Sequence, residues 1–87
     1  MERNCIKATQ KTKKSYILEF EDGSKRLFHI DNIIKNKKLN RAYRDRWQIM
    51  YNEGVFGKTE IHFGILEWPG WVEIMNDEYD KFTKEIK

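Results

Sequence analysis

The sequence predicts one small α+β domain, and three observations lead to that class. Alternating apolar residues mark several short strands, turn residues separate these strands, and segments with helical spacing lie between and after them. A chain of 87 residues can build one modest core. We therefore expect a single domain over residues 1–87, with a mainly antiparallel sheet of about five to six strands, a short central helix and a C-terminal helix.

The clearest local pattern, over residues 16–34, is a β-hairpin that continues into a helix. Three large apolar side chains alternate with their neighbours and share one strand face: Tyr16, Leu18 and Phe20. Asp22 and Gly23 follow, a pair typical of a tight primed turn in which both residues take a positive φ. The returning strand is predicted at residues 25–30. Asp31 should then cap a short helix, because its carboxylate can accept from the exposed N–H groups of the first turn.

The remaining elements follow from the same patterns. Further strands are predicted at residues 4–9, 47–51, 61–68 and 72–74, with turns or loops at residues 10–14, 52–59 and 69–70. Residues 39–45 are expected to form one or two helical turns. A final helix should begin at Asn76 or Asp77 and carry an apolar stripe formed by Tyr79, Phe82 and Ile86.

Composition favours a folded chain in a reducing compartment. Apolar residues make up 39% of the chain and aromatic residues 14%, whereas disordered chains are poor in both. The single cysteine, Cys5, rules out an intramolecular disulfide and a four-cysteine zinc site. The N-terminal residues lack the apolar stretch of a signal peptide, and no run is long enough to span a bilayer. A cytoplasmic protein with no membrane partner is therefore expected.

Charge is distributed unevenly along the chain. Residues 1–47 contain 13 Lys and Arg against 6 Asp and Glu, a net charge of +7, while residues 48–87 contain 4 against 8, a net charge of −4. A chain of this kind can present a basic face to nucleic acid or to an acidic partner. It can also pair its own two halves in an oligomer, and a homodimer is one expectation. The third interpretation is that the charges only solvate the surface.

The usual catalytic patterns are missing. Cys5, Ser15 and Ser24 have no base and orienting group at a recognisable spacing, so none is predicted as a nucleophile. Glu67 and Glu73 could face each other across a turn, but a carboxylate pair of the glycosidase type needs a deep cleft that so small a domain seldom builds. The glycine-containing loop at residues 54–57 has neither the spacing nor the lysine of a phosphate-binding loop. No catalytic residue is predicted, and the protein is not expected to be an enzyme.

The two histidines are the first candidates for metal ligands. His29 and His62 lie on different predicted strands, and Asp31 stands two residues from His29. Such a set could hold zinc only if the fold brought the two strands together, and no closely spaced ligand pair supports this. No metal site and no cofactor are therefore predicted.

A basic segment forms the first candidate binding site. Its cations are Lys35, Lys37, Lys38, Arg41, Arg44 and Arg46. Tyr43 and Trp47 are interleaved with them, so cations could contact phosphates while a ring stacks on a base. The same two rings could instead belong to the core. Nucleic-acid binding through residues 35–47 is therefore kept as the alternative function.

A double-tryptophan corner forms the second candidate site. Trp68 and Trp71 flank a Pro-Gly turn, and Glu73 follows two residues later. Two aromatic rings around a turn could anchor a protein partner. The competing interpretation places one ring in the core and the other over a sheet edge.

These motifs together resemble the bacterial domain-of-unknown-function family 2442. The matching residues are Tyr16-Ile-Leu-Glu-Phe20-Glu-Asp22-Gly23, then Arg26-Leu-Phe28, then Ile33-Ile34. Further on, Trp47-Gln-Ile-Met-Tyr51 is similar to the aromatic-led strand of that family, and Trp68-Pro69-Gly70-Trp71-Val72-Glu73-Ile74 is similar to its Trp-Pro corner.

The resemblance spans about residues 4–82 and implies a binding module rather than an enzyme. Members are small standalone bacterial proteins or N-terminal domains fused to helix-turn-helix modules. They are often encoded beside another small protein, in a pattern suggestive of toxin–antitoxin pairs. The implied function is an accessory or antitoxin-like interaction with another small protein, and no catalytic residue is carried over.

Overall fold

The computed structural model describes residues 2–86. Within these residues the chain forms seven strands and three helices, in the order β1 Cys5–Thr12, β2 Ser15–Phe20, β3 Lys25–His29, α1 Asp31–Ile34, α2 Arg41–Asn52, β4 Glu60–His62, β5 Ile65–Trp68, β6 Val72–Ile74, α3 Tyr79–Phe82 and β7 Thr83–Glu85. The α+β class is confirmed. The strands form two antiparallel sheets rather than the single sheet that was expected.

The two sheets differ in how they are assembled. The four-stranded sheet has the order β1-β2-β3-β7, so the last strand of the chain completes a sheet begun by the first three. The three-stranded sheet is a simple meander in the order β4-β5-β6. Tyr79 and Phe82 are buried, as the apolar stripe required, but α3 has only four residues and Ile86 is exposed. The predicted C-terminal helix is wrong beyond this one turn, because Thr83–Glu85 pairs with β3 instead.

The predicted hairpin of β2 and β3 is confirmed, with a different turn from the one expected. Gly23 takes a φ of 87°, whereas Asp22 does not have a positive φ. Gly23 N donates to Phe20 O at 2.9 Å, and Phe20 N donates to Ser24 O at 3.0 Å. A left-handed glycine therefore closes the turn alone, as in three-residue hairpin loops. The Asp22 carboxylate accepts from Ser24 N at 2.9 Å and from Ser24 Oγ at 2.6 Å.

Two helix predictions need correction at their ends. Ile30, not Asp31, is the N-cap of α1, and no side chain caps this helix. The Asp31 carboxylate instead lies 3.7 Å from Lys14 Nζ and 3.4 Å from Lys35 Nζ. At the other end of the chain, neither Asn76 nor Asp77 caps α3, whose N-cap is Glu78.

The strand predicted at residues 47–51 is wrong, because these residues lie within α2. The Asn40 side chain caps this helix by accepting from Ala42 N at 2.8 Å. The side chains that α2 directs toward the core recur with helical spacing: Tyr43, Trp47, Met50 and Tyr51. Ile49, which the strand prediction placed on the same face as Trp47, is 52% exposed.

The core lies between the two sheets and α2 and is rich in aromatic rings. Phe56, from the loop after α2, stacks on Trp68 with ring centroids 5.6 Å apart. The Phe56 carbonyl accepts from both Tyr16 Oη and Trp68 Nε1, each at 2.7 Å. This loop therefore ties the first sheet to the second through one backbone oxygen. Among residues 2–86, no helix combines the length and the apolar character needed to cross a membrane.

Candidate partner-binding site

The strand predicted at residues 61–68 is interrupted by a tight turn at Phe63 and Gly64. His62 pairs with Ile65, so the turn between β4 and β5 contains only these two residues. Their φ angles are 53° and 79°, and two successive positive values match a primed hairpin turn. Phe63 is the only non-glycine residue of residues 2–86 with a positive φ. A left-handed conformation costs a bulky L-residue about 1–2 kcal/mol.

Hydrogen bonds from outside the hairpin hold Gly64 in place. The Gly64 carbonyl accepts from Cys5 N at 3.1 Å and from Tyr79 Oη at 2.8 Å. Tyr79 Oη also accepts from Leu66 N at 2.8 Å. Burial raises the pKa of the Tyr79 hydroxyl, so this group stays neutral and keeps its proton for the Gly64 carbonyl. The turn is therefore fixed to β1 and to α3 at the same point.

Two asparagines surround the turn. Asn76 Nδ2 donates to Arg3 O at 3.0 Å and to Asn4 Oδ1 at 2.8 Å, and it lies 3.4 Å from Phe63 O. A Cβ added to Gly64 would come within 2.5 Å of Asn4 Oδ1 and 2.9 Å of Asn4 Cα. Gly64 is thus required both for its backbone angles and for lack of space.

The Phe63 ring itself has no role in the core, since it is 96% exposed. Two further exposed apolar residues stand beside the hydrogen bonds that fix the turn. Ile6 follows Cys5 and is 61% exposed, and Met75 precedes Asn76 and is 39% exposed. We call Ile6, Phe63 and Met75 the apolar corner. Its members come from β1, from the β4–β5 turn and from the segment after β6; Ile6 and Met75 are each next in sequence to a residue that hydrogen-bonds to the turn.

Only one of the two rings in the double-tryptophan corner reaches the surface. Trp68 is 1% exposed and donates to the Phe56 carbonyl, so it is unavailable to a partner in this structure. Trp71 is half-buried, and its carbonyl accepts from Arg46 Nε. Trp71, Glu67 and Glu73 line a shallow surface cavity of about 320 Å³. A binding role for Trp71 and Glu73 stays a prediction.

The basic segment keeps its charges, but Trp47 is buried in the core and Tyr43 is partly buried against it. Lys35, Lys37 and Lys38 lie at the end of α1 and in the following loop, and the three arginines lie on α2. Trp47 is fully buried, with its ring centroid 5.1 Å from that of Trp68, so it cannot stack on a base. Nucleic-acid binding by the cations alone stays a prediction.

Further along the basic segment, two arginines are partly engaged by the protein. Arg44 is half-buried, and the Arg46 guanidinium donates to the carbonyls of Gly70 and Trp71. Arg41 remains exposed, and its guanidinium lies 3.8 Å from the Asp45 carboxylate one turn further along α2. The cations left most open to a nucleic acid are therefore Lys37, Lys38 and Arg41.

The two histidines do not share a site. His29 belongs to the four-stranded sheet, and its Nδ1 accepts from Asp31 N at 3.2 Å. His62 belongs to the three-stranded sheet, where its nearest charged neighbours are Glu60 and Glu67. The zinc set that would have joined His29, Asp31 and His62 is therefore not formed.

The apolar corner was missed by sequence reasoning, and little in the sequence marks it. Phe63 fits an alternating strand pattern with Ile61 and Ile65, so the turn was hidden inside a continuous strand. Gly64 was the one available signal, because an isolated glycine in a strand pattern suggests a break.

Comparison of the chain with models of protein families, with curated proteins and with solved structures gave no match. The resemblance to family 2442 stays a prediction.

Proposed function

We propose that this protein is a non-enzymatic binding module whose apolar corner docks a protein partner, with the Phe63 ring as the anchor. The observation that carries this proposal is the combination of a 96% exposed ring and a positive φ at the same residue. Each property alone is uncommon for phenylalanine, and together they oppose the stability of the folded chain.

Phe63 is better explained by binding to another molecule than by a contribution to the stability of the folded chain. Asparagine or glycine would occupy this turn position without strain, and neither would expose a ring to water. Single exposed apolar residues are ordinary on protein surfaces. Here, however, the exposed Ile6 and Met75 adjoin Cys5 and Asn76, which hydrogen-bond to the same turn, and the backbone is strained at the residue that carries the ring.

The turn also fixes the backbone that carries the Phe63 ring. Gly64 is tied to β1 and α3 through its carbonyl, so the tip of the hairpin is held at its base. A backbone that is already ordered loses little conformational entropy on binding, and this favours affinity. An aromatic residue surrounded by polar groups is also the usual composition of an interface hot spot. Asn4 and Asn76 would form that polar rim.

A partner that fits this corner has an apolar pocket wide enough for one aromatic ring. The resemblance to family 2442 supports the same class of function, because it implies a small protein that acts with another small protein. A partner encoded by a neighbouring gene is therefore the first to test.

The decisive experiment compares two matched substitutions. Phe63→Asn removes the ring and leaves a residue that suits the turn. Ile49→Gln removes an exposed apolar side chain from α2, on a different element. We expect Phe63→Asn to weaken binding of the purified partner by about 30-fold or more, as loss of a hot spot does. Ile49→Gln should leave the affinity within about twofold of the unsubstituted protein. Equal affinity in all three proteins would contradict the proposal.

Solution mass separates a second copy of the chain from a different protein. If the partner is a second copy, the unsubstituted protein will be a dimer, and Phe63→Asn will shift it to the monomer mass. A dimer that persists in Phe63→Asn would place the self-association surface elsewhere and would contradict self-docking through this corner.

The nucleic-acid alternative is tested on the same proteins. It predicts binding to a generic duplex or single strand that weakens steeply with salt. The triple substitution of Lys37, Lys38 and Arg41 by Glu should abolish such binding, while Phe63→Asn should not affect it. Partner binding through the apolar corner is expected to show the reverse pattern.

A further inference from the structure

The outer face of the three-stranded sheet carries a row of three glutamates. Glu60 stands directly opposite Glu67, and Glu67 stands directly opposite Glu73. Like charges at directly opposed positions of neighbouring strands destabilise a sheet. No lysine or arginine within residues 2–86 forms an ion pair with any of the three. This face therefore holds negative charge that the side chains of lysine and arginine do not compensate.

A histidine completes this group. His62 lies two residues after Glu60 on the same face of β4. Its Nε2 is 3.2 Å from Glu60 Oε1 and 3.3 Å from Glu67 Oε1. One ligand atom from each of the three residues lies within 4.8 Å of the other two. Because two paired strands carry all three side chains, the hydrogen-bonded ladder holds their backbones at a fixed spacing.

We propose that Glu60, His62 and Glu67 bind one divalent transition-metal ion of the zinc class. Zinc takes imidazole nitrogen and carboxylate oxygen at about 2.0–2.2 Å, and its tetrahedral geometry separates neighbouring ligand atoms by about 3.4 Å. The two distances from His62 Nε2 agree with that separation. Three protein ligands leave the fourth position to water, as the partly exposed side chains allow.

The same side chains also meet directly, since His62 Nε2 lies within hydrogen-bond distance of Glu60 Oε1 at 3.2 Å. Both carboxylates approach the same nitrogen, so a bound ion would take the place of this contact and join the three side chains. Calcium and magnesium favour sites made of oxygen alone, so a nitrogen ligand at the centre of the group selects zinc over them.

The test is metal binding by the untagged, purified chain. Competition between the protein and a chromogenic chelator measures zinc affinity and stoichiometry, and cobalt serves as a spectroscopic probe of tetrahedral coordination. We expect one zinc per chain and the intense visible absorption of tetrahedral cobalt. His62→Ala and Glu67→Gln should each weaken zinc binding by about 100-fold or more. His29→Ala removes the other histidine and serves as the matched control, with affinity within about twofold.

Several results would overturn the proposal. These are no stoichiometric zinc binding, zinc binding unchanged in His62→Ala, or zinc binding lost in His29→Ala. Glu67→Gln keeps the size and shape of the side chain, so circular dichroism of this variant separates loss of a ligand from loss of the fold. Phe63→Asn should bind zinc normally, and the outcome is therefore independent of the proposed protein partner.

Discussion

Two hairpin turns of this protein end in a glycine of positive φ, yet they are built from contrasting residues. At the first turn, Asp22 precedes Gly23 and accepts two hydrogen bonds from Ser24. At the second, Phe63 precedes Gly64 and is itself forced into a left-handed conformation. At the first turn the residues suit the backbone angles that they adopt, whereas at the second turn Phe63 adopts a positive φ that phenylalanine disfavours. The conflict is tolerated because neighbouring segments fix the second turn from outside, and it marks the surface that we assign to a partner.

The largest expected change in the free energy of unfolding comes from replacing the glycine of each turn by alanine. Gly64→Ala should lower the free energy of unfolding by about 3 kcal/mol, because strain is joined by a collision with the Asn4 backbone. Gly23→Ala should cost about 1 kcal/mol, because nothing lies within 4 Å of its added Cβ and only strain remains. Urea denaturation of both variants measures the difference. Equal costs would show that the space around Gly64 can relax.

Phe63→Asn should act in the opposite direction. Asparagine tolerates the left-handed region, so this change is expected to raise the free energy of unfolding by about 1 kcal/mol. Thermal unfolding would show a higher Tm in a protein that has lost partner binding. A lower Tm would mean that the Phe63 ring stabilises the fold and would remove the argument for a purely external role.

Asn76→Ala tests how the second turn is held. It removes the hydrogen bonds from Asn76 Nδ2 to Arg3 O and Asn4 Oδ1, and it should cost about 1 kcal/mol. Hydrogen exchange of the Ile65 and Leu66 amides should become faster in this variant. The turn at Asp22 should keep its exchange rates, and a uniform change across both turns would contradict a local role.

The smallest expected effect is the pH dependence of the contribution that Asp22 makes to stability. Hydrogen bonds from the Ser24 side chain and backbone hold the pKa of Asp22 below its usual value of 3.8. A folded-state pKa below the unfolded value means that the contribution of Asp22 is present above about pH 4 and disappears as the pH falls through the folded pKa. The Tm difference between the unsubstituted protein and Asp22→Ala should therefore be small at pH 6 and should decrease as the pH falls below about 4. A difference that grows on acidification would contradict this linkage.

Local patterns predicted the first hairpin correctly, whereas a false alternation hid the helix α2. Tyr16, Leu18 and Phe20 alternate, and all three are buried in β2. In α2, Trp47 and Tyr51 satisfy alternation and helical spacing equally well. Asn40 was the overlooked signal, because an N-cap residue before a helical pattern indicates where a helix begins.

Other features depend on contacts between distant parts of the chain. Residues 83–85 form a strand because β3 offers them an edge, which no pattern within residues 76–86 could indicate. The turn at Phe63 depends on Cys5, Asn4 and Tyr79, which are remote in sequence. The row of Glu60, Glu67 and Glu73 likewise needs the strand register. The sequence alone allows Glu67 and Glu73 to face each other across their turn, whereas the contacts of His62 with Glu60 and Glu67 follow only from the pairing of β4 with β5.

The chemical labelling rate of Cys5 can report how often the contact between β1 and the β4–β5 turn opens. Its backbone N–H binds the Gly64 carbonyl, its side chain is buried, and burial raises the pKa of its thiol. A thiol-reactive dye can therefore reach the sulfur only while this contact is open. The labelling half-time of Cys5 would then report the frequency of opening, and a partner bound to the β4–β5 turn should lengthen that half-time.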